Sequence, residues 1–329
     1  MKRLVNLFSM MCGLLLVACS SDDEMSNDPV SESETVEVQL GFDGDPISTS
    51  ESPLTRAGEK KKIYGINVYY REGENGYYRH YAYGLFDNVA DMKISLISKY
   101  NYKFECTIVQ DDKDELSKDY QGYWYPFNHN NYSTPLDNKF YVSTISTHYL
   151  NNIYYGLSYT KGNNIEYPRL DRLYGELYSY VPTDGGTAII NMKRTAFGAK
   201  FIINPPADGS LNVKVDYIFS TTISSTDAQI IDESIYTFSD VYNCWNMQED
   251  FTQNFGLRLT WNRGNGATQT FDKTITMKRN VMTTVNVSVS GSTGDSSIGF
   301  NEENTPMGAA TVNVTFGGGS QDDNNVDPK

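Results

Sequence analysis

Val36-Glu37-Val38-Gln39-Leu40-Gly41-Phe42 puts an apolar side chain at every second position and a polar or small one between them. Successive side chains of a strand point to opposite faces, so the stretch reads as a half-buried β-strand with Val36, Val38, Leu40 and Phe42 on its inner face. The same period of two returns in Ile63-Tyr64-Gly65-Ile66-Asn67-Val68-Tyr69-Tyr70 and in Lys93 to Val109. It returns again in Thr187 to Lys193, Phe197 to Ile203, Leu211 to Phe219, Phe255 to Trp261, Thr270 to Met277 and Thr283 to Val289. Turn signals such as Glu74-Asn75-Gly76 and Arg263-Gly264-Asn265-Gly266 separate these runs. A short helix is expected near Tyr167 to Leu177 and nowhere else. The class is therefore all-β, built as sandwiches.

A cluster of turn residues, Val181-Pro182-Thr183-Asp184-Gly185-Gly186, divides a Tyr-rich half from a half rich in Thr and Val. The organisation expected is an N-terminal sandwich over 60–184 and a C-terminal sandwich over 185–316. The stretch from Tyr120 to Tyr159 lacks clean alternation and reads as long loops or an insertion on the first sandwich. A last strand runs from Ala309 to Phe316, and a polar tail, expected to be disordered, fills 317–329.

The first residues carry an export signal. Lys2 and Arg3 precede an apolar run from Leu4 to Ala18 that is too short and too early for a stop-transfer helix. Leu16-Val17-Ala18-Cys19 reads as a lipoprotein cleavage site, with 1–18 removed and Cys19 acylated by more than one chain, enough for a stable hold on the outer membrane. An ordinary secretory signal with a chance cysteine is the other reading. The tract after Cys19, Ser20-Ser21-Asp22-Asp23-Glu24 and on through Thr35, has little to bury and reads as an acidic tether. It either marks the chain for the cell surface or lifts the domain off the membrane.

The 329 residues carry a formal charge of −14, which repels nucleic acid and anionic headgroups, so a nucleic-acid partner is set aside. Of four cysteines, Cys12 and Cys19 belong to the leader and lipid site, leaving Cys106 and Cys244 far apart as two buried free thiols. His80, His129 and His148 show no metal-ligand spacing, and no nucleophile elbow, P-loop or Rossmann glycine pattern occurs, so no enzyme, catalytic residue, metal or cofactor is expected. His129 and His148 read as polar surface residues. The acidic run Asp111-Asp112-Lys113-Asp114-Glu115 reads as a solvated hairpin tip.

Two features point to partners. Tyr123-Trp124-Tyr125-Pro126-Phe127, with Asn130, Asn131 and Tyr132, admits two readings: flat rings and amides that take a host or microbial glycan, or rings that fill a core or cover a sheet edge. Ser52-Pro53-Leu54-Thr55-Arg56-Ala57-Gly58-Glu59 is a loop of small residues, proline and one arginine, suited to a trypsin-like protease. A cut between Arg56 and Ala57 detaches the tether and the strand of Val36, Val38, Leu40 and Phe42 within 19–59, leaving an apolar groove. Ala310, Val312, Val314 and Phe316 alternate in the same way, behind a Gly-Ser linker at Gly291 to Gly294, and offer a replacement strand to another copy.

Taken with Lys193-Arg194-Thr195-Ala196-Phe197-Gly198-Ala199-Lys200-Phe201 and Lys278-Arg279-Asn280-Val281, these pieces resemble the fimbrillin family, the FimA- and Mfa-like pilus subunits of Gram-negative anaerobes. The likeness spans essentially the whole chain. It implies two tandem transthyretin-like β-sandwich domains and a subunit exported as a lipoprotein. It further implies a cut after the arginine and polymerisation with other pilus subunits by donor-strand exchange. By that resemblance Val36 to Phe42 matches the strand removed, and Ile298 to Phe316 the donated region. The tail Gly317 to Lys329 and the Tyr-rich insertion depart from a plain stalk subunit and leave an accessory, tip or anchor role open.

Overall fold

The computed structural model describes residues 34–44, 61–111, 116–129, 131–145, 147–151, 167–247, 251–290 and 297–307. The first eight strands are β1 (Thr35–Gly44), β2 (Lys61–Glu72), β3 (Arg79–Phe86), β4 (Lys93–Ile97), β5 (Tyr100–Asp111), β6 (Lys139–Val142), β7 (Asp171–Tyr180) and β8 (Gly186–Arg194). They form one sheet in the order β4-β1-β8-β7-β5-β2-β3-β6. That sheet is held together at its middle by only two pairs, Leu173 with Arg194 and Tyr174 with Lys193, where β7 meets β8. There it folds over, and the β4-β1-β8 layer faces the β7-β5-β2-β3-β6 layer. Val38, Leu40, Leu96 and Ile190 from one layer share a core with Ile66, Val68, Phe104 and Ile108 from the other.

The remaining strands are β9 (Ala196–Ile203), β10 (Ser210–Val215), β11 (Phe219–Ser224), β12 (Ile230–Thr237), β13 (Thr252–Asn262), β14 (Thr268–Lys278), β15 (Val281–Ser290) and β16 (Ser297–Pro306). They make two four-stranded sheets, β11-β10-β13-β14 and β12-β9-β15-β16. Phe197, Phe201 and Val287 meet Leu211, Leu259, Trp261 and Met277 in the second core. The architecture is all-β and sandwich-like, as the alternation predicts, with a six-residue helix α1 (Val241–Asn246) capped by Asp240, which accepts from the Asn243 N–H at 3.0 Å.

Two expectations are corrected. The helix expected near Tyr167 to Leu177 is β7, whose first six residues are all buried. It lies between β5 and β8 with both faces covered: Leu173 enters the first core, while Tyr174 enters a third cluster on the outer side of the sheet. A strand buried on both faces loses its polar alternation and so mimics a helix. The change of sandwich also falls later than 184/185. The turn cluster 181–186 joins β7 to β8, and β8 still contributes Ala188, Ile190 and Met192 to the first core. The chain crosses over at Thr195, because turn residues mark a hairpin as readily as a boundary.

The crossing is pinned by charge. Arg194 Nε donates to Asp171 Oδ1 at 2.7 Å and its Nη1 reaches Asn280 Oδ1 at 3.2 Å, with both members of the ion pair buried. The Thr195 N–H donates to the Arg172 carbonyl and the Thr237 N–H to that of Pro168. Removing Asp171 leaves the buried Arg194 charge without its carboxylate, so Asp171→Ala is expected to lower stability by about 3–5 kcal/mol. The double replacement Asp171→Leu with Arg194→Met should restore most of it. Chemical denaturation of the three proteins checks this.

Candidate functional site

β1 is the middle strand of its layer. On one side β4 pairs with it antiparallel, Val36 opposite Leu96 and Val38 opposite Ile94. On the other side β8 runs parallel to it, Leu40 opposite Ala188 and Phe42 opposite Ile190. Val38 and Leu40 are fully buried, Val36 nearly so, and Phe42 stacks on Tyr64 at 5.5 Å. Gln39 Nε2 donates to the Val89 carbonyl at 2.8 Å and the Leu40 N–H to that of Met92 at 3.0 Å, which ties the strand to the chain leading into β4.

The pairing makes β1 the only ladder partner of β4 among the described residues. Without it β8 keeps only its two pairs with β7. Taking β1 away therefore opens a trough between two unpaired strand edges, lined by Ile94, Leu96, Ala188 and Ile190. Each aliphatic side chain left facing water there forfeits about 1.5–3 kcal/mol, so an empty trough selects strongly for a replacement strand. β1 ends at Gly44 and β2 opens at Lys61, and the sequence joining them contains Arg56 and Ala57. Arg56 and Ala57 themselves, Cys19, and Ala310, Val312, Val314 and Phe316 lie outside the described residues. So does most of the acidic run 111–115. The start of the segment matched to the donated region forms β16, paired along β15 with Ile298 opposite Val289.

The Tyr-rich stretch takes the second of its two readings at its centre. Tyr125 and Phe127 are buried in the third cluster with Ile63, Leu85 and Val109, and Tyr123 packs against it. The Tyr125 hydroxyl accepts from Arg172 Nη1 at 2.5 Å. Trp124 is half-buried and donates from Nε1 to Asp119 Oδ2 at 2.9 Å. Tyr125 is thus corrected from a glycan-stacking ring to a core residue, because its face already packs on the sheet. Gly65 makes this possible, since a Cβ there would stand 2.6 Å from the Phe127 ring.

His129 and His148 are likewise drawn in. They pair as an isolated bridge and both rings pack on Tyr83, and His148 is buried with Nδ1 2.6 Å from the Phe127 carbonyl. Among the described residues no group of three His, Cys, Asp or Glu is placed to hold a metal ion. Cys106 and Cys244 are buried free thiols in separate cores, as read from their spacing.

The sequence reading missed a polar network beneath this loop. Asn67 Nδ2 donates to Glu105 Oε2 and to the His148 carbonyl, each at 2.9 Å, and Asn67 Oδ1 accepts the His148 N–H at 2.8 Å. Arg172 holds the Leu150 carbonyl. Lys103, Glu105 and Thr107 alternate with Tyr102, Phe104, Cys106 and Ile108 along β5, a pattern that reads as a solvent face. The loop covers that face, and burial pushes the Glu105 carboxyl above its ordinary range.

No family model matches the chain, and no curated protein matches it either. Among solved structures it is similar to a candidate cell adhesion protein from Bacteroides eggerthii, at 9% identity over 84% of this chain and 96% of that one, TM-score 0.36. It is also similar to the fimbrial anchor protein Mfa2 from Porphyromonas gingivalis, at 9% identity over 82% and 97%, TM-score 0.33. A third is a fimbrial assembly protein from Parabacteroides distasonis, at 12% identity over 82% and 95%, TM-score 0.31. Two of these three are fimbrial proteins.

Burial lowers the pKa of His148 from 6.5 to about 3. Between those values the unfolded chain takes up a proton that the folded one refuses, so stability falls as pH drops, by up to about 1.4 kcal/mol per pH unit. Glu105 works in the opposite direction: its raised pKa contributes stability below about 4.5 that is lost as pH rises through the folded value. Replacing His148 by Gln should flatten the acid limb between pH 6.5 and 4 and leave the rest of the profile in place, as read by denaturation at each pH.

Proposed function

We propose that the chain is a structural subunit of a surface fibre that polymerises by strand exchange. The observation that carries this reading is the seat of β1, a fully incorporated middle strand whose only covalent tie to the body is the stretch containing Arg56. In this reading the chain is exported as a lipoprotein through Cys19 and cut after Arg56. The segment from Ala310 to Phe316 of a neighbouring copy or another pilus subunit then enters the trough between β4 and β8. Its Ala310, Val312, Val314 and Phe316 match the apolar face of Val36, Val38, Leu40 and Phe42 in number and spacing. The cut also discards ten acidic residues, leaving a body with 24 basic and 31 acidic residues, net −7 instead of −14. In the alternative reading an anchor subunit is never cut and keeps both its lipid and β1 in its seat, and an accessory or tip subunit presents a binding surface.

Mass spectrometry of the assembled form is expected to find Ala57 at the N-terminus, and polymer built from chains with an intact lipidated terminus would refute the exchange at this seat. In the donor segment, Val312→Asp with Val314→Asp should leave the monomer's unfolding midpoint unchanged and abolish polymer on native gels, because the charges would be buried in the trough. Polymer of normal length from that variant would remove the donor role from Ala310 to Phe316.

A further inference from the structure

Lys103 on β5 and Glu176 on β7 stand side by side, Nζ 2.9 Å from Oε1, with side-chain exposures of 18% and 1%. The strand register shifts at this point: Tyr102 faces Tyr180 but Phe104 faces Leu177. The extra residue is taken up with Ser179 at φ 56°, in the left-handed region that non-glycine residues rarely enter. Bulges of this kind re-aim side chains. Here the Tyr178 ring lies 4.8 Å from the Lys103 ammonium and the Tyr69 ring 5.4 Å from it, so the pair is walled by aromatic faces. The Tyr178 hydroxyl donates to Glu176 Oε2.

Behind the pair, the Tyr174 hydroxyl stands 2.5 Å from Glu176 Oε1 and 2.7 Å from Glu105 Oε1. A hydroxyl has one proton to give, so one of these carboxyls must itself be protonated. Glu176 faces the ammonium. Glu105 is enclosed and has no ammonium in contact with it, so the proton is assigned to it, and burial acts on its pKa in the same upward sense. An amine donor, a carboxyl and a second, proton-bearing carboxyl thus share one nearly dry site on adjacent strands.

We propose that Lys103 and Glu176 condense to an intramolecular amide that joins β5 to β7 covalently, with Tyr174 relaying the proton that Glu105 holds. A proton first passes within the ion pair from Nζ to the Glu176 carboxylate, giving amine and acid. Nζ then attacks Glu176 Cδ. The Glu105 proton moves through the Tyr174 hydroxyl to the departing oxygen, water leaves by the exposed side of Lys103, and the surplus proton on nitrogen returns to Glu105. One C–N bond forms, one C–O bond breaks and one water is released. Ammonium and carboxylate become neutral amide and water, with nothing oxidised or reduced. Holding amine and carboxyl in contact supplies the effective concentration that makes such a condensation feasible without an external activator. The bond would tie β5 to β7, the strand of the larger layer that meets β8, whether or not the chain is cut at Arg56.

Peptide mapping of the folded full chain tests this. The expected result is a branched tryptic product joining the segments around Lys103 and Glu176, lighter than its two linear parts by one water, about 18 Da. Lys103→Arg keeps the ion pair but should yield only linear peptides of full mass. Glu105→Gln and Tyr174→Phe, each shown to be folded by circular dichroism, should form the branched product at least tenfold more slowly after refolding. A merely structural role for either residue would leave that rate unchanged. A wild-type chain that yields a linear peptide ending at Lys103, with no mass deficit, overturns the amide. A folded Glu105→Gln chain that cross-links at the normal rate overturns the relay.

Discussion

β4 has one ladder partner among the described strands, and it is β1. The second layer of the first sandwich exists because the earliest strand of the body sits between β4 and β8 and satisfies the facing backbone of both. In the second sandwich β9 holds the equivalent position, antiparallel to β12 and parallel to β15. The difference lies in how each middle strand is attached. β9 continues from β8 through Thr195 alone, so it cannot leave without dragging the crossing with it. β1 reaches β2 through sixteen residues of sequence that include proline, serine and an arginine. Two middle strands of like pairing therefore differ in their connection along the chain, one residue between β8 and β9 and sixteen between β1 and β2.

The opposite face of the first sandwich is built for permanence. Asn67 and Arg172 rise from the sheet and hold the main chain of His148 and Leu150, while Phe127 packs into the space over Gly65 and Tyr125 joins the same cluster. Burying these polar groups is tolerable because the charged ones are answered: Glu105 by Asn67, Tyr69 and Tyr174, and Arg172 by Tyr125, Thr107 and a carbonyl. The rings that could have met a ligand are instead the roof over this layer. One layer of the sandwich thus depends on β1 for its ladder, and the other carries a fastened cover.

Much of this was legible in advance, and the failures share a cause. Val36 to Phe42 and Phe255 to Trp261 read correctly because each has one core face and one polar or small face, and Phe197 to Ile203 because alternate residues line one core. β7 failed because both of its faces are buried, which erases the alternation. The polar face of β5 is hard to read in the reverse direction: Glu105 and Thr107 look solvated until the segment ending at Leu150 closes over them. His148 was read as surface for the same reason, since nothing local reveals that a distant glycine leaves room for its neighbours.

By itself the sequence determined the all-β class, the strand periods, the free buried thiols and the matched alternation at the two ends of the body. These follow from period-two patterning and spacing, which are local properties of the chain. Only the tertiary structure decided that β1 is a middle strand and not an edge, that β8 stays with the first sandwich, and that the Tyr-rich loop roofs the buried network of Asn67, Glu105 and Arg172. Those facts depend on which strands meet across long separations, and a strand's pattern shows which face is buried without saying what lies on either side of it.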